Sequence, residues 1–327
     1  MLDLKKLINH NTGLIFIIIG LGLFIVPGAF RFFNSDVVNW NEVLNAGKEK
    51  IFGIVFLSIG VIIEFLRIFV FKDKRCVISI FWGEKLTTKL PIEMKTVKMR
   101  HEYITPSRDN HTLQDLKGGL VTMINNANNN NISAFNHYYF YGIAQIPFIF
   151  RLGMQYGNNS KNYALAHYFK RDSFSKLKIL RWGRKTESLK VSFADKKSQD
   201  LVVSIATSFP MDDISNDILF RDKSILSIES TTNNVDIISN QSIMNQWADQ
   251  ISREIRKYVK EYSIKKVHLL LNTSSEMVFK LGTMFANNYD PDMNIYHYSL
   301  KDKIKRPWYL DTKKDTIEKT RLEPQNN

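Results

Sequence analysis

Two stretches of this chain share one pattern, and that repeat restricts the folds open to it. The first runs from His137 as HYYFYGIAQIPFIFRLGMQYGNNSKNYALAHY, and the second from His268 as HLLLNTSSEMVFKLGTMFANNYDPDMNIYHY. Each copy has an apolar run, a helical stretch that closes on Leu-Gly (Gly153 and Gly282), and a second apolar run. Each copy is therefore predicted to fold as strand, helix, strand. Duplication of such a unit predicts a pseudo-twofold α/β domain with a ligand cleft along its axis.

Further strands and helices are predicted around each copy. Apolar or alternating runs predict strands over 76–82, 97–104, 201–209 and 225–230, and helical spacing predicts helices over 111–126 and 241–262. Each half then reads as strand, long helix, strand, helix, strand, a Rossmann-like three-layer pattern with buried parallel strands. The helix over 241–262 carries an apolar stripe that is predicted to pack in the core. The stripe consists of Ile243, Trp247, Ile251, Ile255, Tyr258, Val259 and Tyr262.

Two strongly apolar segments precede the repeats. Residues 13–30 contain no charge, and their 18 residues are at the lower limit for crossing a hydrocarbon core of about 30 Å. Residues 51–71 form a longer apolar segment, so residues 1–75 are predicted to form a transmembrane hairpin. A modest excess of Lys and Arg outside the connecting loop favours cytoplasmic termini. A signal peptide is the alternative for the first segment, but its length and the second apolar segment argue against it.

Glu64 and Arg67 lie near the far end of the second apolar segment. Glu64 can pair with Arg67 one turn further on and reach the membrane interface, which is a structural role. Alternatively, several copies of Glu64 meet inside a polar, leaky assembly, because a charge within a span is tolerated where it faces protein or water.

The net charge is formally +13 at pH 7, and the first 71 residues hold six Lys/Arg against five Asp/Glu, so about +12 belongs to the rest. This balance suits an anionic partner, either a phosphate-bearing ligand or the anionic membrane face, unless it serves solubility alone. A single cysteine, Cys76, excludes an intrachain disulfide and a cysteine-built zinc site and fits a reducing cytoplasm. No catalytic constellation, metal site or cofactor is predicted.

Open parallel sheets bind ligands beyond the carboxyl ends of their strands, where the next helix begins. Those loops are residues 141–145 in the first half and 272–276 in the second. The predicted ligand contacts there are Tyr141, Asn272, Thr273, Ser274 and Ser275. Thr273 to Glu276 also has the form of a capping box, so these hydroxyls either cap the helix or bind a phosphate. No glycine-rich phosphate loop follows the strands, which disfavours NAD or ATP.

A second group of predicted ligand contacts follows the first repeat. Lys170 and Arg171 come directly after its last apolar run, and Trp182 lies between Arg181 and Arg184 on a turn that contains glycine. A tryptophan in this setting can stack on a base while the guanidinium groups hold phosphate or a base edge. The alternative is an ordinary strand end with a buried tryptophan and solvated arginines.

Residues 265–299, KKVHLLLNTSSEMVFKLGTMFANNYDPDMNIYHYS, resemble the closing motif of SAVED domains: a strand with His-Leu, a small-residue loop, a helix ending in Leu-Gly, and a short strand with an aromatic pair. With its two apolar segments, the chain resembles the 2TM-SAVED effectors of the bacterial anti-phage system CBASS. The resemblance implies a SAVED domain of two Rossmann-like, CARF-like units, here residues 76–190 and 191–305. Residues 306–327 are predicted to be a charged C-terminal tail.

The resemblance also implies a function. A cyclic di- or trinucleotide, rather than a DNA or RNA polymer, is expected to bind the cleft without being processed. Protomers are then expected to associate head to tail as a homo-oligomer, and the clustered hairpins to disrupt the lipid bilayer of the inner membrane and abort infection.

Two other functions remain open. Asp290-Pro291-Asp292 has the DxD form that can hold a metal and a diphosphate in a nucleotide-sugar transferase, although it is also typical of a plain turn. Alternatively, the chain is a CARF-like nuclease that degrades its cyclic ligand. His137 and His268 are predicted to lie at strand starts, opposite the cleft, and to be structural.

Overall fold

The computed structural model describes residues 46–65, 75–83, 90, 92–95, 97–107, 111–130, 137–157, 163–171, 174–179, 188–208, 210–212, 214–231, 241–286, 290–299 and 304–320. These residues belong to two units, 1–73 and 74–327.

In the first unit, helix α1 (Ala46–Phe65) covers most of the second apolar segment. Large apolar side chains are exposed along it, among them Ile54, Val55 and Ile62. In the described part of the chain, no helix combines the length and the apolar character needed to cross a membrane. Glu64 lies in the last turn of α1, whereas the predicted first span (13–30) and Arg67 lie outside the described residues.

Five strands form the first sheet of the second unit, in the order β2-β1-β3-β4-β5. They are β1 (Arg75–Trp82), β2 (Met99–Thr105), β3 (His137–Ile143), β4 (Tyr163–Arg171) and β5 (Phe174–Ile179). The first four are parallel, and β5 is antiparallel to β4. The helices of this half are α2 (Ile92–Lys95), α3 (Leu113–Asn129) and α4 (Ile146–Gly157).

Seven strands form the second sheet, in the order β12-β11-β10-β9-β7-β8-β6. They are β6 (Leu189–Ala194), β7 (Asp200–Ala206), β8 (Ser224–Ser230), β9 (Lys266–Asn272), β10 (Asp292–Tyr296), β11 (Trp308–Asp311) and β12 (Thr316–Lys319). Strands β7 to β10 are parallel, and β6, β11 and β12 each pair antiparallel to a neighbour. The helices are α5 (Gln241–Glu261) and α6 (Ser275–Met284).

The two halves have the same topology. In each, the four parallel strands lie in the order second, first, third, fourth, and an antiparallel strand pairs with the fourth (β5 with β4, β11 with β10). Both copies of the repeat are strand, helix, strand, as predicted: β3-α4-β4 and β9-α6-β10. The sequence pattern aligned His137 with His268, but the structure aligns the two copies differently by two positions. Matching the strand ends Ile143 and Asn272 also matches Gly153 with Gly282, and His137 then no longer aligns with His268.

The two Leu-Gly pairs meet where α4 crosses α6. A methyl group added to Gly153 would lie 3.0 Å from the Cα of Gly282 and would collide with the carbonyl oxygen of Phe279. The reciprocal collision, from Gly282 onto the carbonyl oxygen of Phe150, holds as well. The glycines therefore allow the two helix backbones to touch, which explains why Leu-Gly recurs in both copies of the repeat. Neither helix ends there as predicted, because α4 continues to Gly157 and α6 to Met284.

One continuous core joins the halves. Phe140 of β3 stacks on Phe279 of α6 with ring centroids 3.8 Å apart, and Phe150 of α4 stacks on Phe285 at 6.3 Å. Within the second half, the predicted stripe of α5 is buried from Ile243 to Ile255, while Tyr258, Val259 and Tyr262 are half-buried against the core. The 3.6-residue periodicity thus identified the buried face correctly.

The prediction of a charged C-terminal tail over 306–327 is wrong for its first part, because β11 and β12 extend the second sheet. Trp308, Leu310 and Ile317 are buried at 4%, 0% and 0% exposure, and they lie on the core side of a two-stranded hairpin. The turn of this hairpin contacts the first half, since Asp315 accepts two hydrogen bonds from Arg151 of α4, at 2.5 and 2.8 Å. The conformation of this segment therefore follows from its alternating apolar residues, which form strands, rather than from its overall charge.

Candidate functional site

A cleft that is partly open to solvent lies at the carboxyl ends of β7, β9 and β10. Its lining residues are Ile146, Pro210, Met211, Asp212, Leu270, Leu271, Asn272, Tyr296, Tyr298 and Arg306. Strands β7 and β9 are neighbours in the sheet, and the strand that follows each of them lies on opposite sides of this pair: β8 beside β7, and β10 beside β9. The connections after β7 and β9 therefore run in opposite directions along the sheet. Open α/β sheets bind ligands at such a switch point, so the cleft occupies the position predicted for a ligand site.

Arg306 is a buried cation in the cleft wall, with only 4% of its surface exposed. Its Nη1 donates a hydrogen bond to Asp217 at 2.5 Å, and its guanidinium carbon lies 5.6 Å from the ring centroid of Phe220 and 5.8 Å from that of Tyr298. The second terminal nitrogen, Nη2, has no hydrogen-bond partner among the described residues. A buried charged donor without an acceptor costs free energy, so an anion that reached Nη2, which is itself buried, would be stabilised there.

Asp212 lies at the rim of the cleft and brings two loops together. A single oxygen of Asp212, Oδ2, accepts two hydrogen bonds, one from Lys305 Nζ at 2.8 Å and one from the Tyr298 hydroxyl at 2.9 Å. The bond from Lys305, followed by that from Tyr298, lowers the pKa of Asp212, so the carboxylate is ionised at neutral pH. Burial, and then the bond to Asp212, raise the pKa of Tyr298, which remains a neutral donor.

Asn272 and Thr273 hold the loops beneath the cleft. The side-chain nitrogen of Asn272 donates to the carbonyl of Pro210 at 2.8 Å, and the Asn272 carbonyl accepts from the amides of Thr207 and Ser208 at 3.3 and 3.4 Å. Thr273 and Thr207 share a hydrogen bond between their hydroxyls. Of these two predicted contacts, only Asn272 also lines the cleft. Both residues fix the wall that carries Asp212.

Ser274 is the N-cap of α6, and its hydroxyl accepts a hydrogen bond from the Met277 amide at 3.4 Å. The predicted capping box is not formed as expected, because the cap falls on Ser274 rather than Thr273 and Glu276 is therefore one position too early to close it. Ser275 is the first residue of the helix. The capping interpretation therefore accounts for Ser274, and neither serine is among the residues that line the cleft.

Tyr141 is not at the cleft, contrary to the prediction from its loop. It lies within β3 at 4% exposure, in an apolar cluster with Val77, Phe81 and Met94, and its ring meets that of Phe81 edge-on at 5.7 Å. The strand continues beyond it to Ile143, which the pattern of aromatic and small residues did not indicate. Ile146 is the first-half residue that lines the cleft.

The remaining predicted contacts are only partly described. Lys170 and Arg171 lie at the end of β4, where their backbones pair with Ser175 and Phe174 of β5. Arg181, Trp182 and Arg184 lie outside the described residues, so their role stays a prediction.

Sequence reasoning missed Asp212, Tyr296, Tyr298, Lys305 and Arg306. Tyr298 belongs to the repeat pattern but was given no role. Lys305 ends the predicted second half and Arg306 begins the predicted tail, and neither was given a role because β11 was not recognised. In the first half an antiparallel strand, β5, follows β4, and by duplication a strand should also follow β10. Extending the repeat in this way would have predicted residues 304–308 as the loop that returns the chain to the cleft.

The residues behind the alternative functions are engaged elsewhere. Asp290 accepts a hydrogen bond from Arg256 Nε at 2.9 Å and forms an ion pair with the same guanidinium. Asp292 pairs with Lys313 at 2.7 Å, so each carboxylate of the DxD turn faces a cation at the amino end of β10. His268 is buried and hydrogen-bonds to the Tyr296 hydroxyl at 2.9 Å and to Asp200 at 3.2 Å. The described residues contain no group of three or more His, Cys, Asp or Glu side chains suited to a metal.

Comparison with curated proteins finds no match to this sequence. Among solved structures, the chain is similar to the Acinetobacter baumannii Cap4 SAVED/CARF-domain containing receptor with the cyclic trinucleotide 3'3'3'-cAAA (14% identity, TM-score 0.47, covering 84% of this chain and 59% of that one). It is also similar to the same receptor with 2'3'3'-cAAA (12%, 0.45, 84% and 59%) and to the Moraxella osloensis Cap4 receptor (11%, 0.44, 84% and 60%).

The chain therefore spans about three fifths of the length of these structures. The family model of the "SMODS-associated and fused to various effectors sensor domain" matches residues 121–309. That range includes both copies of the repeat and every residue of the cleft, and it is more than half of the chain, so the protein belongs to the SAVED family of sensor domains.

Proposed function

We propose that the protein senses a cyclic oligonucleotide, which binds in the cleft at the carboxyl ends of β7, β9 and β10. The observation that carries this proposal is the composition of the cleft: two tyrosines and a buried arginine at a switch point of a SAVED sheet. Tyrosine rings offer stacking surfaces for bases, and an arginine offers charge-assisted hydrogen bonds to phosphate. The excess of positive charge outside the first 71 residues attracts such a ligand.

The effector half of the proposal concerns the N-terminal unit. Ligand binding drives head-to-tail association of protomers, and the clustered apolar segments then disrupt the inner membrane, with both termini in the cytoplasm. Support comes from the uncharged stretch over 13–30 and from the large apolar side chains exposed on α1, such as Ile54 at 53% and Ile62 at 57%. The sensor itself needs no catalytic group and no cofactor for this role.

The test is a binding screen with the full-length protein in mild detergent. A panel of cyclic di- and trinucleotides is assayed for thermal stabilisation, and hits are titrated by calorimetry. Saturating ligand at about 100 times its Kd should stabilise the protein by about 2.7 kcal/mol. Absence of stabilisation and of heat across the whole panel would contradict the sensor proposal.

Two further measurements separate this function from its alternatives. Chromatography of the cyclic nucleotide after incubation tells binding from hydrolysis, and the proposal requires an intact ligand. Sedimentation with and without ligand tests association, for which the expected result is a larger species only when ligand is present. Turnover of a nucleotide sugar in the presence of manganese would favour the transferase instead.

A further inference from the structure

We propose that Arg306 in the wall of the cleft and Lys305 beside Asp212 at its rim form a phosphate subsite. Asp212 occupies the Lys305 side of this subsite, as an internal anion, until a phosphodiester displaces it. This inference deepens the proposed function, because it names the residues that read the charged part of the ligand. It depends on contacts that neither the family match nor the sequence pattern assigns.

The first observation is the unsatisfied guanidinium. Arg306 is 4% exposed and held by Asp217 through Nη1, while Nη2 has no partner among the described residues. Packing against Phe220 and Tyr298 fixes the plane of the group. An arginine that is anchored on one nitrogen and free on the other is pre-organised for an oxyanion, since little side-chain entropy is lost when the anion binds.

The second observation is the neighbouring ion pair. Lys305 precedes Arg306 in the chain, and its ammonium lies 2.8 Å from Asp212. Both side chains are about half exposed, at 57% and 46%, so the pair can open without unfolding the loop. Tyr298 donates to the same carboxylate oxygen as Lys305. The carboxylate therefore uses the ammonium of Lys305 and the hydroxyl of Tyr298, two donors that a phosphate oxygen would use, and leaves Arg306 Nη2 without a partner among the described residues.

The charges decide how the subsite responds. Asp212 and Asp217 together balance Lys305 and Arg306, so the free cleft is neutral at this point. A phosphodiester brings one negative charge and gains most if Asp212 swings away from Lys305. If Asp212 stays in place, its negative charge and that of the phosphodiester, about 4 Å apart in water, repel enough to weaken binding about fivefold. The repulsion is stronger when the two charges are partly shielded from solvent. Asp212 thus lowers affinity for any anion and sets a threshold for ligand concentration.

The experiment compares Asp212→Asn and Lys305→Gln with a matched pair at the other end of β10. Lys313 and Asp292 form an exposed ion pair at 2.7 Å, similar in geometry and exposure, so Asp292→Asn and Lys313→Gln remove the same charges away from the cleft. Affinity for pyrophosphate and for cyclic tri-AMP is measured by calorimetry on the full-length protein at constant ionic strength. We expect about fivefold tighter binding for Asp212→Asn, about fivefold weaker binding for Lys305→Gln, and no change for the two controls.

Each outcome decides one question. If cyclic tri-AMP binds but Asp212→Asn and Lys305→Gln behave like their controls, the subsite is wrong and the sensor function stands. If the expected pattern appears with pyrophosphate while no cyclic oligonucleotide binds, the subsite stands and the proposed ligand class is wrong. Weaker binding of both probes by Asp212→Asn would overturn the displacement idea, because Asp212 would then support the bound ligand. Arg306→Lys, which keeps the charge, should weaken binding of both probes, and an unchanged affinity would also refute the subsite.

Discussion

Replacing Gly282 by alanine tests the helix crossing on which the duplicated fold depends. The new methyl group would collide with the carbonyl oxygen of Phe150 and lie 3.0 Å from the Cα of Gly153. Both neighbours are backbone atoms of α4, so no side chain can rotate away, and α4 and α6 must separate. Because only two residues separate α6 from Asn272 at the end of β9, such a shift also alters the cleft.

The expected loss of stability combines two opposing effects. Alanine is favoured over glycine in a helix interior by roughly 0.5–1 kcal/mol. Overpacking a tight core usually costs about 1–3 kcal/mol, and a collision with backbone belongs at the upper end. The difference is a destabilisation of about 2 kcal/mol. For a domain of this size, that corresponds to a fall in Tm of roughly 4–8 °C.

Gly118 provides the matched control, since it is also a helical glycine but has no atom within 4 Å of the position its Cβ would take. Gly118→Ala should raise stability by roughly 0.5–1 kcal/mol. Both variants are compared with the wild type by urea denaturation and by thermal unfolding. Equal or greater stability for Gly282→Ala would refute the argument that the two backbones are in contact.

Three further predictions concern separate parts of the chain. Burial lowers the pKa of His268, so the neutral ring contributes stability that is present above pH about 6.5 and is lost as the pH falls. His268→Gln should therefore reduce the loss of stability between pH 7.5 and 5.5. An unchanged dependence of stability on pH in this variant would contradict the prediction. Trp182→Ala and Arg184→Ala should each weaken binding of the best cyclic oligonucleotide, the former by about 1–3 kcal/mol if a stacked base is lost; unchanged affinity in both folded variants would remove these residues from the site. Glu64→Leu should keep ligand binding and membrane association but reduce signal-dependent dye leakage from cells that also make the nucleotide, because a polar assembly would lose its charge; full leakage would indicate that Glu64 only pairs with Arg67.

The local elements were predictable because their signals are local. Strands β1, β2, β7 and β8, and helices α3 and α5, follow from apolar runs and from 3.6-residue spacing within single segments. The duplication was visible because Leu-Gly recurs at the same point of two similar segments. Strand β11 and the hairpin to β12 were missed because four-residue strands in a charged segment carry too little periodicity to stand out.

The sequence by itself determined the strand and helix content of the two copies, the identity of the buried helix faces and the membership of the chain in an α/β class, since each of these depends on the polarity of residues close together in the chain. Only the tertiary structure decided that Gly153 meets Gly282, that Tyr141 belongs to the core, and that Asp212 and Arg306 share one cleft. Arg306 reaches Asp217 across 89 positions of sequence and Lys305 reaches Asp212 across 93. Such contacts depend on the order of the strands in the sheet, in which β10 lies beside β9 and β9 beside β7. Long-range packing sets that order, and no single segment of the sequence encodes it.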